Sequence, residues 1–190
     1  MSRTKTLSDD AVLDGVARVM FRKGPQDFTL AEAAREAGVS AATLVQRFGD
    51  KHALIVRAVA RDNDRFAEIL ARPAPARGAE AVVDFFRRMT EAFGEAGDFA
   101  DQLLWLREDM RDPALNALAR ERFAALRTAI AARMPSLPIA PSIAARLVEA
   151  QWQGALNQWG VEPKGTLADY VAESLSAWFA LASGSAFLRG

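Results

Sequence analysis

The stretch FTLAEAAREAGVSAATLVQR, residues 28–47, leaves the chain few ways to fold. Thr29 and Glu32 form a T-x-x-E capping box, in which each side chain satisfies the other residue's free backbone N–H at a helix start. Gly38 ends that helix, because it accepts the positive φ of a helix C-cap without steric cost. Ser40 starts the next helix as an N-cap. Two short helices must therefore meet at Ala37-Gly38-Val39, and Ala33, Ala34 and Ala37 leave room for close packing there. Val39 and Leu44 point inward as apolar anchors. Ser40, Ala41, Ala42, Thr43, Val45 and Gln46 are then left facing outward.

The flanks are helical as well. Ser8, followed by Asp9 and Asp10, suits the start of a first helix, where carboxylates meet the positive end of the helix dipole. Val12, Val16 and Val19 recur at helical spacing until Gly24-Pro25 stops the helix. Asp50 caps a long helix over about 51–72, and Pro73-Ala-Pro75 is the natural seam. At least five more helical segments follow, one with Val82, Phe86, Met89 and Phe93 on one face and the others over about 98–110, 113–133, 142–160 and 166–182. The expected fold is all-α with about nine helices, divided into residues 1–55 and 56–190.

Composition narrows the function. The formal net charge is zero, with 24 basic and 24 acidic side chains, so nucleic-acid binding has to come from a local patch. There is no cysteine, which removes disulfides, thiolate zinc sites and cysteine nucleophiles. MSRTKTLSDD does not read as a secretory signal, and no apolar run is long enough to span a bilayer, so a cytoplasmic location without membrane contact is expected. No nucleophile elbow, phosphate-cradling glycine loop or paired-histidine motif occurs, so catalytic residues, metal ligands and cofactors are not expected. The single histidine, His52, follows the Asp50 cap and reads as a surface residue. Glu108, Asp109 and Asp112 alternate with Arg107 and Arg111 and read as a solvated face.

Residues 11–55 resemble the DNA-binding domain of the tetracycline-repressor (TetR) family of transcription regulators. The resemblance rests on Phe28-Thr29, Ala37-Gly38-Val39-Ser40, Thr43-Leu44, Phe48, Lys51 and Leu54 in matching order and spacing. It implies a three-helix helix-turn-helix domain (motif 28–47) whose second motif helix enters a major groove. Thr29, Thr43 and Lys51 would contact phosphates, and Ser40, Ala41, Ala42 and Gln46 would face base edges. Arg3 and Lys5 would form an arm along the DNA backbone. Family members usually carry a tyrosine where this chain has Val45, and Arg47 would replace the lost phosphate contact by charge. Residues 1–57 hold nine basic and seven acidic side chains, so binding should depend on salt without being strongly polycationic.

The resemblance further implies a C-terminal bundle for ligand binding and dimerisation. Phe86, Met89, Phe93, Trp105, Met110, Phe123, Trp152 and Trp159 are candidates to line an apolar pocket, although the same stripes would equally fill a core. The last two long helices, about 142–160 and 166–182, are the expected homodimer interface. The resulting expectation is a homodimeric repressor released from a palindromic double-stranded operator by a small apolar or amphipathic effector. The alternative is a helical small-molecule-binding protein or enzyme with an incidental helix-turn-helix-like corner.

Overall fold

The computed structural model describes residues 7–25, 27–72, 76–91 and 96–184, and over 96–102 the backbone alone. Among these residues there are nine α-helices and no strand. They are α1 (Asp9–Lys23), α2 (Leu30–Ala37), α3 (Ala41–Phe48), α4 (Lys51–Leu70), α5 (Ala79–Glu91), α6 (Ala96–Arg111), α7 (Pro113–Arg133), α8 (Pro141–Val161) and α9 (Leu167–Ser183). Among the described residues, no helix is long and apolar enough to cross a membrane.

The helix ends follow local chemistry. Ser8 accepts the Ala11 N–H at 3.2 Å to start α1, and Asp50 accepts the Ala53 N–H at 2.8 Å to start α4. Thr29 and Glu32 form the complete capping box of α2. Gly38 sits in the left-handed region at φ 71°, ψ 29°, and donates its N–H back to the carbonyls of Ala34 and Arg35. Thr166 caps α9 by accepting the Asp169 N–H at 3.1 Å. The proline seam at 73–75 lies outside the described residues.

The chain divides into two compact units, one of residues 1–69 with 101–122, the other of 70–100 with 123–190. In the first unit, Val12, Val16, Val19 and Met20 of α1 share a core with Phe28, Ala33, Ala34, Ala37, Leu44, Phe48, Leu54, Ala58 and Leu115. Leu44 has no exposed surface, and burying such a side chain is worth about 1.5–3 kcal/mol. Gly15 lets α1 and α2 touch, since a Cβ there would lie 2.6 Å from the Ala37 Cα. In the second unit α9 packs on α5 and α8. Val82, Phe86, Leu126, Ile130, Ala145, Val148, Trp152, Leu175 and Phe179 are among its buried apolar residues.

One reading needs correction. The acids at the end of α6 do not form a solvated face, because Asp109 is buried. Its carboxylate takes the Arg122 Nη2 at 2.5 Å, and Arg122 also reaches the Asn63 side chain at 3.3 Å. Burial raises the Asp109 pKa, and the Arg122 charge works against that shift. The chain turns straight from α6 into α7, which folds this part of α6 into the first unit. Asp112 makes the turn by accepting the N–H groups of Ala114 and Leu115 at 2.8 and 3.0 Å.

Candidate nucleic-acid interface

The corner built by Gly38 sets which side of α3 faces out. Val39 returns its N–H to the Ala34 carbonyl at 3.0 Å, and Ser40 then accepts the Thr43 N–H at 3.0 Å. Leu44 and Phe48 lie one turn apart on the buried side of α3. Ala42, Val45 and Gln46 consequently stand exposed, with Ser40 exposed at the helix start and Ala41 and Thr43 half-buried beside it. The free N–H groups and dipole of the α3 N-terminus favour an anion at that end. The exposed Gln46 amide can pair with adenine through two hydrogen bonds, and alanine methyls can pack on thymine methyls.

The polar residues expected to meet phosphates have more specific partners than the sequence suggests. The Thr29 hydroxyl accepts the Glu32 N–H at 3.2 Å and gives its own proton to Glu32 Oε2 at 3.1 Å. The Thr43 and Ser40 hydroxyls share one hydrogen bond at 2.8 Å, which leaves one of their two protons for another acceptor. Arg47 turns back to α1, where its Nε lies 2.8 Å from Asp9 and its Nη2 also contacts that carboxylate. Lys51 holds its ammonium 4.4 Å from the Phe28 ring centroid. Arg3 and Lys5 lie outside the described residues.

The carboxylates of α2 are neutralised from α1. Glu32 takes Lys23 at 2.5 Å, and Glu36 takes Arg18 at 3.0 Å and Arg22 at 3.3 Å. The Lys23 hydrogen bond, with those from the Thr29 backbone and hydroxyl, lowers the Glu32 pKa to about 2. Arg18 and then Arg22 lower that of Glu36. These pairs hold α2 against α1 and keep its acids from repelling a polyanion, though each exposed pair adds little stability. His52 is exposed, as expected, and its Nε2 lies 2.6 Å from Asp112 Oδ2. The Asp112 carboxyl is held below its ordinary range, first by the Leu115 N–H and then by His52.

Residues 12–58 match the model of the bacterial regulatory proteins of the tetR family. Residues 12–58 are therefore similar to the DNA-binding domain of that family, and the chain has the fold of solved regulators of this kind. A tetR-family transcriptional regulator from Streptomyces coelicolor superposes with a TM-score of 0.68 at 17% identity, covering 90% of this chain and 80% of that one. A transcriptional regulator from Rhodococcus sp. Rha1 reaches a TM-score of 0.74 at 17% identity, covering 93% and 96% of the two chains. The multidrug binding protein EbrR, solved in complex with proflavin, gives 0.63 at 24% identity, covering 88% and 96%. No curated protein matches the sequence. The TetR family is one of DNA-binding transcription regulators, not enzymes, and its members bind small-molecule effectors and are typically dimeric. The match at 12–58 spans α1, α2, α3 and the start of α4, so the outward side of α3 belongs to a TetR-type domain.

The candidate pocket residues do not form one group. In the second unit Phe86, Trp152 and Trp159 are buried, and Met89 and Phe123 half-buried. The Phe86 and Trp152 rings stack at 5.0 Å, and the Trp152 indole donates to the Thr90 hydroxyl at 3.3 Å. Trp105 belongs to the first unit and packs on Phe21 at 5.1 Å. Met110 is in the same unit and is 70% exposed. Phe93 lies outside the described residues. A surface groove of about 680 Å³, lined by Arg77, Met134, Pro135, Leu137, Ile139 and Pro141 among others, includes none of the candidates.

Sequence reasoning passed over Glu149, which is buried on α8 and paired with Arg127 at 2.5 Å. The signal was present, because an acid stands three residues before Trp152 within an otherwise apolar stripe.

Proposed function

We propose that the protein is a homodimeric repressor, cytoplasmic in location, released from a palindromic double-stranded operator by a small apolar or amphipathic effector. The observation that carries this reading is the side of α3 turned to solvent, with Ser40, Ala42, Val45 and Gln46 outward above buried Leu44 and Phe48. In this reading residues 1–55 bind DNA, through Ser40, Ala41, Ala42 and Gln46 at base edges and Thr29, Thr43, Arg47 and Lys51 along the backbone, with Val45 on the DNA-facing side but without a phosphate contact. Residues 56–190 take the effector and form the dimer. Phosphate contact by Arg47 requires exchange of its Asp9 partner, and contact by Thr29 requires its hydroxyl to leave Glu32.

The dimer interface is α8 with α9. Trp152, Leu156 and Trp159 are buried within a single chain, so the contact surface is the opposite face of α8. There Ile143, Leu147, Ala150, Gly154, Asn157 and Val161 follow alternating four- and three-residue steps, the spacing of a helix-pairing seam. A Cβ at Gly154 would meet nothing within 4 Å, which leaves room for a second helix. Twofold pairing is functional, because two recognition helices must reach half-sites about 34–36 Å apart or a multiple of that spacing.

Release is a linkage effect. An effector that binds one conformer of the bundle more tightly lowers operator affinity by the ratio of its affinities for the two conformers. Helix α4, which begins directly after the DNA-binding corner, carries the change. EbrR's complex with proflavin supports a small-molecule effector for a chain of this fold.

The test is selection of genomic fragments by the purified protein at low salt, with light scattering for its mass. Enrichment of a palindrome by a dimer is the expected result. Enrichment of no sequence, or binding as a monomer, overturns the reading.

A further inference from the structure

Helix α3, AATLVQRF, contains one charged residue and no carboxylate. That residue, Arg47, turns away from the outward side. Its Nε donates to Asp9 at 2.8 Å, and its guanidinium carbon lies 5.4 Å from the Phe48 ring centroid. The outward side of the helix is left with Ala42, Val45 and Gln46, all exposed and within one turn of each other. At the helix start the Ser40 and Thr43 hydroxyls spend one of their two protons on each other.

Each base reader in the major groove has its own chemistry. Guanine is read by Arg or Lys, cytosine by a carboxylate, adenine by Asn or Gln, and the thymine methyl by apolar carbon. The outward side of α3 lacks the first two kinds and offers one amide beside a patch of carbon. Val45 is the largest side chain in that patch and is 48% exposed. Valine has no hydrogen-bonding group, so it can hold neither a phosphate nor a polar base edge, and what it presents is two methyls. In a helix a valine keeps one strongly preferred rotamer. The helix itself is fixed by buried Leu44 and Phe48. The methyls are therefore held ready, and little side-chain freedom is lost when they are covered.

We propose that Val45 determines base specificity by packing on a thymine C5-methyl group in each half-site, with Ala42 beside it. Gln46, one residue on, takes an adenine of a neighbouring pair, so the bases under α3 are A·T pairs. The proposal rests on the reading that α3 enters the major groove of an operator, and names the bases that it reads.

The test selects preferred duplexes from a random-sequence pool with the full-length protein at low salt. The best duplex is then resynthesised with deoxyuridine for thymidine, one position at a time in both half-sites. That exchange removes the methyl and keeps every hydrogen-bonding group of the base. At one thymine per half-site, binding should weaken about fourfold for each methyl lost, the ratio that follows from uncovering one CH₂-sized group. Val45→Ala should bind the thymine duplex several-fold more weakly and show no further loss with uracil at that position. It should keep its loss when 7-deazaadenine replaces the neighbouring adenine, because Gln46 still reads N7. Val45 is exposed, so thermal melts of the variant should match those of the parent. An equal uracil effect in parent and Val45→Ala would mean that duplex shape is read instead, and overturns the proposal. Selection of a palindrome with G·C pairs throughout the α3 contact region, or indifference to uracil at every position, also overturns it and leaves the regulator reading standing. Enrichment of no sequence overturns both.

Discussion

Replacing Gly15 by alanine sets two known effects against each other at the centre of the DNA-binding unit. Within a helix interior, glycine to alanine stabilises by about 0.8–1 kcal/mol through backbone entropy. The new methyl, however, would stand 2.6 Å from the Ala37 Cα, 3.0 Å from its Cβ and 3.1 Å from its backbone nitrogen. Carbon atoms pack best at roughly 3.5–4.0 Å, so about 1 Å of separation is missing. Two of the three obstructing atoms are backbone and cannot rotate away, so α1 must move off α2. Overpacking of this kind costs typically about 1–3 kcal/mol, and with backbone in the way the upper half of that range applies. The net expectation is a loss of about 1–2 kcal/mol, a fall in Tm of roughly 2–8 °C for a chain of this size. Because Ala37 adjoins the Gly38 corner, operator affinity should fall as well. Thermal melts at fixed protein concentration, with an operator-binding titration, provide the assay. A rise in Tm with unchanged operator binding would mean that helix propensity outweighs the close approach, and would refute the packing argument.

Three further outcomes follow from the same geometry. Gly38→Ala should lose about 1–2 kcal/mol on thermal unfolding, since its φ of 71° is unfavourable for a residue with a Cβ, and Gly38→Asn should recover part of this. The space itself is open, the nearest atom being the Leu7 Cδ1 at 3.5 Å, so a full loss in both variants would point to a different cause. Gln46→Ala should leave stability within about 0.5 kcal/mol and cost about 1–3 kcal/mol of operator affinity, concentrated at one base position. A uniform loss across all operator variants would place Gln46 on the backbone instead. Glu32 ionises at about 2 against an ordinary 4.5, so its contribution to stability is fully present above 4.5 and is lost as pH falls through about 2. The Thr29 amide resonance should therefore titrate with a midpoint near 2, and a midpoint near 4.5 in proton NMR would show that the capping box does not form.

The sequence alone determined the helices and the corner. Caps and stops act over three or four residues, so Ser8, Thr29 with Glu32, Gly38, Ser40 and Asp50 mark α1 to α4 without any knowledge of the tertiary fold. The similarity of residues 12–58 to a DNA-binding family was legible for the same reason, because its pattern is a set of such local signals. The exposed sides of Ala42, Val45 and Gln46 followed from helical periodicity once Leu44 and Phe48 were assigned inward.

What only the tertiary structure decided are contacts between residues far apart in the chain. Periodicity assigns Asp109 to a polar face, yet Arg122 draws it into a buried pair. Nothing local to Arg47 shows that Asp9, 38 residues away, takes its guanidinium. Gly15 reads as a weak helix residue until Ala37 is seen against it. The aromatic stripes look alike along the chain, but Trp105 and Trp152 are in separate compact units. Glu149 is an ordinary acid in sequence, and its unsatisfied oxygen exists only because α8 is buried where it stands. Pairing across the fold depends on which faces meet, and that is not encoded within any window of a few residues.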